Sequence, residues 1–165
     1  MKITKILIAI DDSKFAEHAA EYGFDIAHKF NAAVGLVNIV EPVMMPQFAT
    51  GADPLMGSTM QGTGIDELEI MDIQKNQSES IVERFIKRYA GDIQVTHFNE
   101  YGSTSDGIIT CSNEFGADLI ILGTHSRTGI DRFFMGSIAE DVVRHSAVPV
   151  LVVPFKDFLE SEKSN

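Results

Sequence analysis

The stretch from 123 to 137, "GTHSRTGIDRFFMGS", has the residue types of a phosphate-binding loop. Gly123 and Gly136 would let backbone N–H groups approach an anion closely, and a helix beginning beside Ser137 would direct its positive end at the same anion. A second interpretation stays open, in which the glycines only serve turns and Ser137 only caps the helix. The loop therefore predicts either a phosphate site or a tight connection between two elements.

The overall charge of the chain makes this loop unusual. The 165 residues carry a net charge of −11, which disfavours binding to nucleic acid or to an anionic membrane surface. Arg127 and Arg132 nevertheless lie within the loop. They provide the local positive charge that an anion would need.

Ser126 stands where another glycine would allow closer contact with phosphate. If the backbone at this position needs a positive φ, serine costs about 1 kcal/mol relative to glycine. If φ is negative, the hydroxyl can donate a hydrogen bond to a charged phosphate oxygen, which is worth roughly 1.5–3 kcal/mol. The serine weakens the motif without excluding a phosphate site.

Two widespread nucleotide-binding motifs are absent from the sequence. The first apolar run continues into "DDSKFAE", without the glycines of a dinucleotide-binding turn. The stretch 102–109, "GSTSDGII", has Ile108 and Ile109 where a P-loop needs Lys and Ser or Thr. It is better explained as the start of a helix, with Ser103 as the cap and Asp106 in the first turn.

The sequence offers no recognisable set of catalytic side chains. Its 5 histidines are scattered without the spacing of a metal site, and Thr124 stands where a nucleophile elbow around Ser126 would need glycine. The single cysteine, Cys111, falls in a helical stretch and is expected to be a buried, inert thiol. Slow hydrolysis of a bound nucleotide is the most activity that these patterns allow us to expect.

Short apolar runs predict the strands that would hold the loop in place. They cover residues 5–10, 32–40, 93–98, 117–123 and 148–153. Helical stretches separate the runs, so the strands should become parallel neighbours through right-handed crossovers. We therefore expect a single α/β domain over residues 1–154, a three-layer doubly wound fold with a five-stranded parallel sheet and four helices. The loop would then cross the carboxyl edge of the sheet, where such folds bind ligands.

Apolar residues at helical spacing predict the inward faces of the four helices. In chain order they are Phe15, Ala19, Tyr22, Ile26 and Phe30; Leu68, Met71, Ile81, Phe85 and Tyr89; Ile108, Ile109 and Cys111; and Ile138, Val142 and Val143.

Three further segments have no regular pattern or an interrupted one. Segment 41–64 is rich in Pro, Gly and Met, and it is either a surface insertion or a flap over a site at the end of the second strand. The tail, residues 155–165, is polar, charged and expected to be frayed. Asp11 and Asp12 interrupt the N-terminal apolar run too early for a signal peptide or a membrane span, which predicts a cytoplasmic protein.

Three stretches together resemble the universal stress protein family: "ILIAIDDS", "GLVNIVEP" and "ADLIILGTHSRTGIDRFFMGSIAEDVVRHSAVPVLVVP". The resemblance covers nearly all of residues 3–154. It implies a five-stranded α/β fold, usually a homodimer, and in one branch an ATP site with the pattern G-x2-G-x9-G-[ST]. Gly123, Gly136 and Ser137 match that pattern in register, and Ser126 replaces its second glycine.

The resemblance also implies roles for individual residues. It places Asp11 and the backbone of Ile39 near adenine and ribose, and the matching glycines and serine around the phosphates. Asp11 could equally be a helix cap, because "DDS" offers three capping candidates. The candidate cofactor is ATP with Mg or Mn, and the candidate ligand-binding residues are Asp11, Ile39, Gly123, Ser126, Arg127, Gly136 and Ser137.

Two functions remain open on this basis. One is a nucleotide-binding regulatory module that acts as a homodimer in the stress response, in which bound ATP orders segment 41–64 and changes a surface read by an unidentified protein partner. The other is a dimeric interaction module of the same fold without a bound nucleotide. In both, strand 148–153 should lie at an edge of the sheet, where an uncharged, Val-rich strand is rarely left unpaired. We expect it to pair with its mate in a second copy.

Overall fold

A computed structural model of the chain describes residues 2–41, 67–124 and 136–154. Ser126, Arg127, the tail at 155–165 and all but the first residue of segment 41–64 lie outside the described residues. No helix within the described ranges is long and apolar enough to cross a membrane.

The described part of the chain has five strands, which form one parallel sheet in the order β3-β2-β1-β4-β5. The chain builds outwards from β1 through β2 to β3, and then returns to the other side of β1 to add β4 and β5. The order therefore reverses between β1 and β4, and β5 is an edge strand as predicted. The strands are β1 (Lys5–Ala9), β2 (Ala33–Val40), β3 (Val95–Tyr101), β4 (Leu119–Gly123) and β5 (Val150–Val153).

Within the described residues, four helices cover the two faces of the sheet. They are α1 (Lys14–Phe30), α2 (Glu67–Phe85), α3 (Thr104–Phe115) and α4 (Ser137–His145), and α2 ends in one π-helical turn over Ile86–Ala90. The first two pack on one face and the last two on the other, so that two separate apolar cores enclose the sheet. The predicted three-layer, doubly wound fold is confirmed.

β3 is longer than predicted at its carboxyl end. It pairs with β2 along its whole length, as far as Tyr101 beside Val40, although the apolar run ends at Phe98. β3 is an edge strand, where polar side chains such as that of Glu100 can face water. The apolar pattern therefore indicated its first half only.

The predicted buried face of α1 is partly wrong. Tyr22 and Phe30 are 50% and 55% exposed. Small residues make most of the core face instead, and they let α1 lie so close to the sheet that a β-carbon on Gly23 would stand 2.5 Å from Cδ1 of Ile8. Aromatic residues on the neighbouring face satisfy the same spacing, which is why the pattern selected them. The residues that α1 buries are Ala16, Ala19, Ala20, Gly23, Phe24 and Ala27.

Two residues of other helices are also exposed against the prediction. Val143 of α4 is exposed because successive helical residues point about 100° apart and its neighbour Val142 is fully buried. Met71 is exposed because the buried side chains of α2, among those described, begin only at Ser78. Ser103 occupies the N-cap position of α3 as predicted, but its side chain makes no capping hydrogen bond.

Candidate functional site

A cleft of about 540 Å³ opens at the carboxyl edge of the sheet, where the strand order reverses between β1 and β4. Its walls come from the ends of β1, β2 and β4, from one side of α2, and from the starts of α3 and α4. Open α/β sheets place ligands in this position because the connections on the two sides diverge there. Every candidate ligand-binding residue that the structure describes lines this cleft: Asp11, Ile39, Gly123, Gly136 and Ser137.

Asp11 lies in the turn from β1 into α1. Its Oδ1 atom accepts a hydrogen bond from the backbone N–H of Ser13 at 2.8 Å, and Ser13 itself caps α1 by accepting from the N–H of Ala16 at 3.1 Å. The helix cap is therefore Ser13, and Asp11 stabilises the turn before it. No described residue bonds to Oδ2 of Asp11, so this oxygen remains for a ligand in the cleft.

The backbone of Ile39 carries a donor and an acceptor that the sheet does not use. Alternate residues of β2 bond to opposite neighbours: the carbonyl of Val37 accepts from Ile10 on the β1 side, and that of Val40 accepts from Gly102 on the β3 side. Ile39 therefore faces the β1 side, but the pairing of β1 with β2 ends at Val37. No described residue bonds to its N–H or C=O. Such an adjacent donor and acceptor match the edge of a nucleobase.

A buried polar network lies beneath the cleft, and the sequence patterns did not predict it. The Nδ2 atom of Asn38 donates to the carbonyl of Ile10 at 2.8 Å. The hydroxyl oxygen of Ser78 lies 2.6 Å from Oδ1 of Asn38 and 2.9 Å from Oδ1 of Asn99. Asn38 and Ser78 are buried, and both line the cleft. A single polar residue inside the apolar run "GLVNIV" was the available signal.

The two glycines at the ends of the predicted phosphate-binding loop have different surroundings. A β-carbon on Gly123 would stand 2.9 Å from the backbone oxygen of Phe15, so close packing against α1 requires glycine there. Gly136 has φ −54° and ψ 149°, which any residue adopts, and its N–H donates to the carbonyl of Thr124 at 2.6 Å. Gly136 is also the N-cap of α4, so the interpretation in which Ser137 caps this helix is wrong.

The charge of the described walls is negative. Asp11, Asp12 and Glu41 are the charged residues among them, and Glu41 accepts a hydrogen bond from the hydroxyl of Thr104 at 2.5 Å. No group of His, Cys, Asp and Glu in the described ranges could hold a metal ion. A polyanionic ligand would therefore need positive charge from elsewhere, either from a cation that it brings or from the arginines of the loop.

Comparisons with known proteins agree on one family. The profile of the universal stress protein family matches residues 2–154. A universal stress protein of Methanocaldococcus jannaschii is 30% identical over 151 residues, which cover 90% of this chain and 81% of that protein.

Solved structures of universal stress proteins have the same fold. One from Lactobacillus plantarum has a TM-score of 0.73 at 20% identity, covering 93% of this chain and 99% of that one. One in complex with cAMP has a TM-score of 0.65 at 19% identity, covering 93% and 98%. One from Archaeoglobus fulgidus in complex with dAMP has a TM-score of 0.57 at 19% identity, covering 92% and 98%.

Proposed function

The chain belongs to the universal stress protein family, and on this basis we propose that its cleft binds an adenine nucleotide, ATP with Mg or Mn. The protein would then act as a nucleotide-dependent regulatory homodimer in the stress response. The observation that carries the proposal is the meeting of Asp11, Ile39, Gly136 and Ser137 in one cleft at the switch point of the sheet. These residues come from three parts of the chain that are distant from one another in the sequence, around positions 11, 39 and 136.

The proposed ligand uses three parts of the cleft. The base bonds to the unpaired N–H and C=O of Ile39, and the ribose to the free carboxylate oxygen of Asp11. The phosphates lie at the start of α4, where the N–H groups of Ser137 and the next two residues have no partner within the helix. Ser126 and Arg127 add contacts from the loop. Two of the similar solved proteins hold adenine mononucleotides, dAMP and cAMP, which supports an adenine ligand.

A divalent cation is part of the proposal because the described walls are acidic. Mg²⁺ or Mn²⁺ bound to the phosphates would reduce their repulsion from Asp11, Asp12 and Glu41. Mg²⁺ commonly binds in this way, through substrate phosphates and few protein ligands. No histidine lines the described part of the cleft as a general base, so we propose no activity beyond slow hydrolysis.

The homodimer would form through β5. This edge strand contains only Val and Leu, whereas the other edge strand, β3, carries polar and charged side chains. The N–H of Ile120 in β4 donates to the carbonyl of Pro149, so Leu151 also faces β4 and the alternate residues Val150 and Val152 face outwards. Their unpaired N–H and C=O groups would bond to the β5 strand of a second copy.

A second candidate, an interaction module without nucleotide, is favoured by the surroundings of the loop glycines. Packing against Phe15 accounts for Gly123 without any ligand, and the backbone angles of Gly136 do not require glycine. Under this alternative the fold and the dimer are unchanged and the cleft is vestigial.

Calorimetry and thermal unfolding of nucleotide-free protein separate the two functions. A ligand at a hundred times its Kd stabilises the folded state by about 2.7 kcal/mol, which for a domain of this size raises Tm by roughly 5–10 °C. We expect such a shift with Mg-ATP, and its loss in Gly136→Val, where the side chain would exclude phosphate. The matched control is Ala147→Val, at an exposed position beyond the other end of α4. If the wild type shows neither a shift nor heat of binding, the interaction module takes the place of the nucleotide site.

A further inference from the structure

We propose that Asn38 and Ser78 are positioning residues that keep the backbone N–H of Ile39 unpaired and available to a ligand. The nature of that ligand rests on the proposed function, but the effect on Ile39 is a property of the ligand-free protein. Both side chains are polar and more than nine-tenths buried, with exposed fractions of 5% for Asn38 and 2% for Ser78.

The hydrogen-bond ladder between β1 and β2 stops before β2 ends. The carbonyl of Val37 accepts from the N–H of Ile10 at 2.9 Å. In a parallel pair the next bond of this ladder runs from the N–H of Ile39 back to the carbonyl of Ile10. That bond is not formed, although both residues are described.

The carbonyl of Ile10 has a different partner. It accepts from the side-chain amide of Asn38 at 2.8 Å. Asn38 thus provides a donor in place of the neighbouring backbone N–H, and the carbonyl is satisfied without Ile39. The β1–β2 ladder ends one bond early, at the edge of the cleft.

Ser78 fixes the direction in which the Asn38 side chain points its amide. A carboxamide can be turned over, and only one orientation places its NH₂ group against a carbonyl. The hydroxyl of Ser78 lies 2.6 Å from Oδ1 of Asn38, closer than the 2.9 Å to Oδ1 of Asn99, and it favours that orientation by donating its one proton to Asn38. Because Ser78 belongs to α2, the position of α2 is coupled to the state of the Ile39 N–H.

A variant without the Asn38 amide should close the ladder. In Asn38→Val the carbonyl of Ile10 has lost its partner in a buried position, and the N–H of Ile39 is the nearest replacement in the regular pattern of a sheet. The donor would then be unavailable to a ligand. A ligand that uses it should bind roughly tenfold more weakly, the effect of about one hydrogen bond.

Amide hydrogen exchange followed by NMR tests the inference without any ligand. We expect the Ile39 amide of the wild type to exchange at least tenfold faster than the Val37 amide, which lies inside the ladder. In Asn38→Val it should become protected, and in Ser78→Ala it should be partly protected. The matched control is Ser112→Ala, which removes a buried serine hydroxyl of α3 outside the cleft and should leave Ile39 unchanged. An Ile39 amide that is as protected as Val37 in the wild type, or that stays unprotected in folded Asn38→Val and Ser78→Ala alike, overturns the proposal.

Titration with Mg-ATP then separates this inference from the proposed function. If the wild type binds no nucleotide but its Ile39 amide exchanges quickly and is protected in Asn38→Val, the proposed function fails and the role of Asn38 stands. If Mg-ATP binds and protects Ile39, the roughly tenfold loss of affinity should appear in Asn38→Val and not in Ser112→Ala. Equal affinity of Asn38→Val and the wild type would show that the ligand does not use this N–H, and would overturn the positioning role toward it.

Discussion

The side chain of Ile39 packs directly on the α-carbon of Gly107 in α3, so that a β-carbon at position 107 would stand 2.6 Å from Cδ1 of Ile39. Glycine inside a helix is unfavourable by up to about 1 kcal/mol relative to alanine, and Gly107 is the fourth residue of α3. Here it allows α3 to lie against the end of β2, beside the cleft. The contact therefore links a glycine outside the cleft to the backbone that we propose as the binding site of the base.

Replacing Gly107 by alanine should weaken ligand binding more than it weakens folding. The gain in helix propensity, up to about 1 kcal/mol, offsets the small cost of moving the flexible Cδ1 end of Ile39, while the shift of Ile39 should raise the Kd for Mg-ATP several-fold. Urea unfolding and calorimetry measure the two effects. Adding Ile39→Val, which removes the clashing Cδ1 atom, should restore affinity.

The control for this substitution is Gly23→Ala in α1. Its β-carbon would stand 2.5 Å from Cδ1 of Ile8, and neither residue lines the cleft. We expect this variant to change stability and leave the Kd unchanged. Equal changes of Kd in Gly23→Ala and Gly107→Ala would show that overpacking affects the cleft indirectly.

Gly123 and Gly136 should respond differently to alanine. At Gly123 the added β-carbon meets the backbone of Phe15 at 2.9 Å, which no side-chain rotation can relieve, so Gly123→Ala should lower the free energy of unfolding by about 1–3 kcal/mol with or without nucleotide. Gly136→Ala fits the observed backbone angles and should cost under about 1 kcal/mol as a change of N-cap, while weakening nucleotide binding. Urea unfolding of both variants checks this. An unchanged stability of Gly123→Ala would contradict the packing role.

A proline in β5 should separate the proposed dimer only at an outward-facing position. The N–H of Val152 points away from β4, so Val152→Pro removes a donor at the open edge and should yield folded monomers by light scattering. Leu151→Pro would instead break the internal ladder with β4 and lower stability. A lower molecular mass of this variant would therefore not test the dimer interface. Val152→Ala keeps the N–H and is the control. A dimer that survives Val152→Pro, or a monomeric wild type, would remove β5 pairing from the proposal.

Cys111 should be unreactive at neutral pH. It is completely buried, and burial, with smaller contributions from the charges of Glu100 and Glu114, raises the pKa of its thiol from 9.0 to about 11. At pH 8 the folded protein should therefore hold about a hundredfold less thiolate than an unperturbed cysteine. A disulfide reagent should label it only after unfolding in denaturant. Rapid labelling of the folded protein would contradict the burial.

The same pKa shift predicts how stability changes at alkaline pH. Between about pH 9 and 11 the unfolded chain releases the thiol proton and the folded chain retains it, so the free energy of unfolding should fall as pH rises through this range. Cys111→Ala should show a smaller fall. Urea unfolding of both proteins from pH 8 to 11 isolates the contribution of the thiol, because the other titrating groups are shared.

Most of the fold could be predicted from local patterns in the sequence. Buried parallel strands give short apolar runs and their covering helices give a longer period, so the order of elements and the doubly wound class follow from residues close to one another in the chain. The edge position of β5 followed from its place after the last helix. The roles of Ser126 and Arg127, outside the described residues, stay predictions from the motif.

The tertiary structure decided what local patterns cannot express. Whether Tyr22 or a small residue of α1 faces the sheet depends on how closely the helix approaches the sheet. Contacts such as that of Gly23 with Ile8 determine this distance. In the same way, the family resemblance could select Ile39 but could not show that its N–H is unpaired. The N–H is unpaired because the carbonyl of Ile10 accepts a hydrogen bond from the Asn38 side chain instead of from Ile39. Ile10 and Asn38 are 28 positions apart, so this bond exists only when the two strands lie side by side.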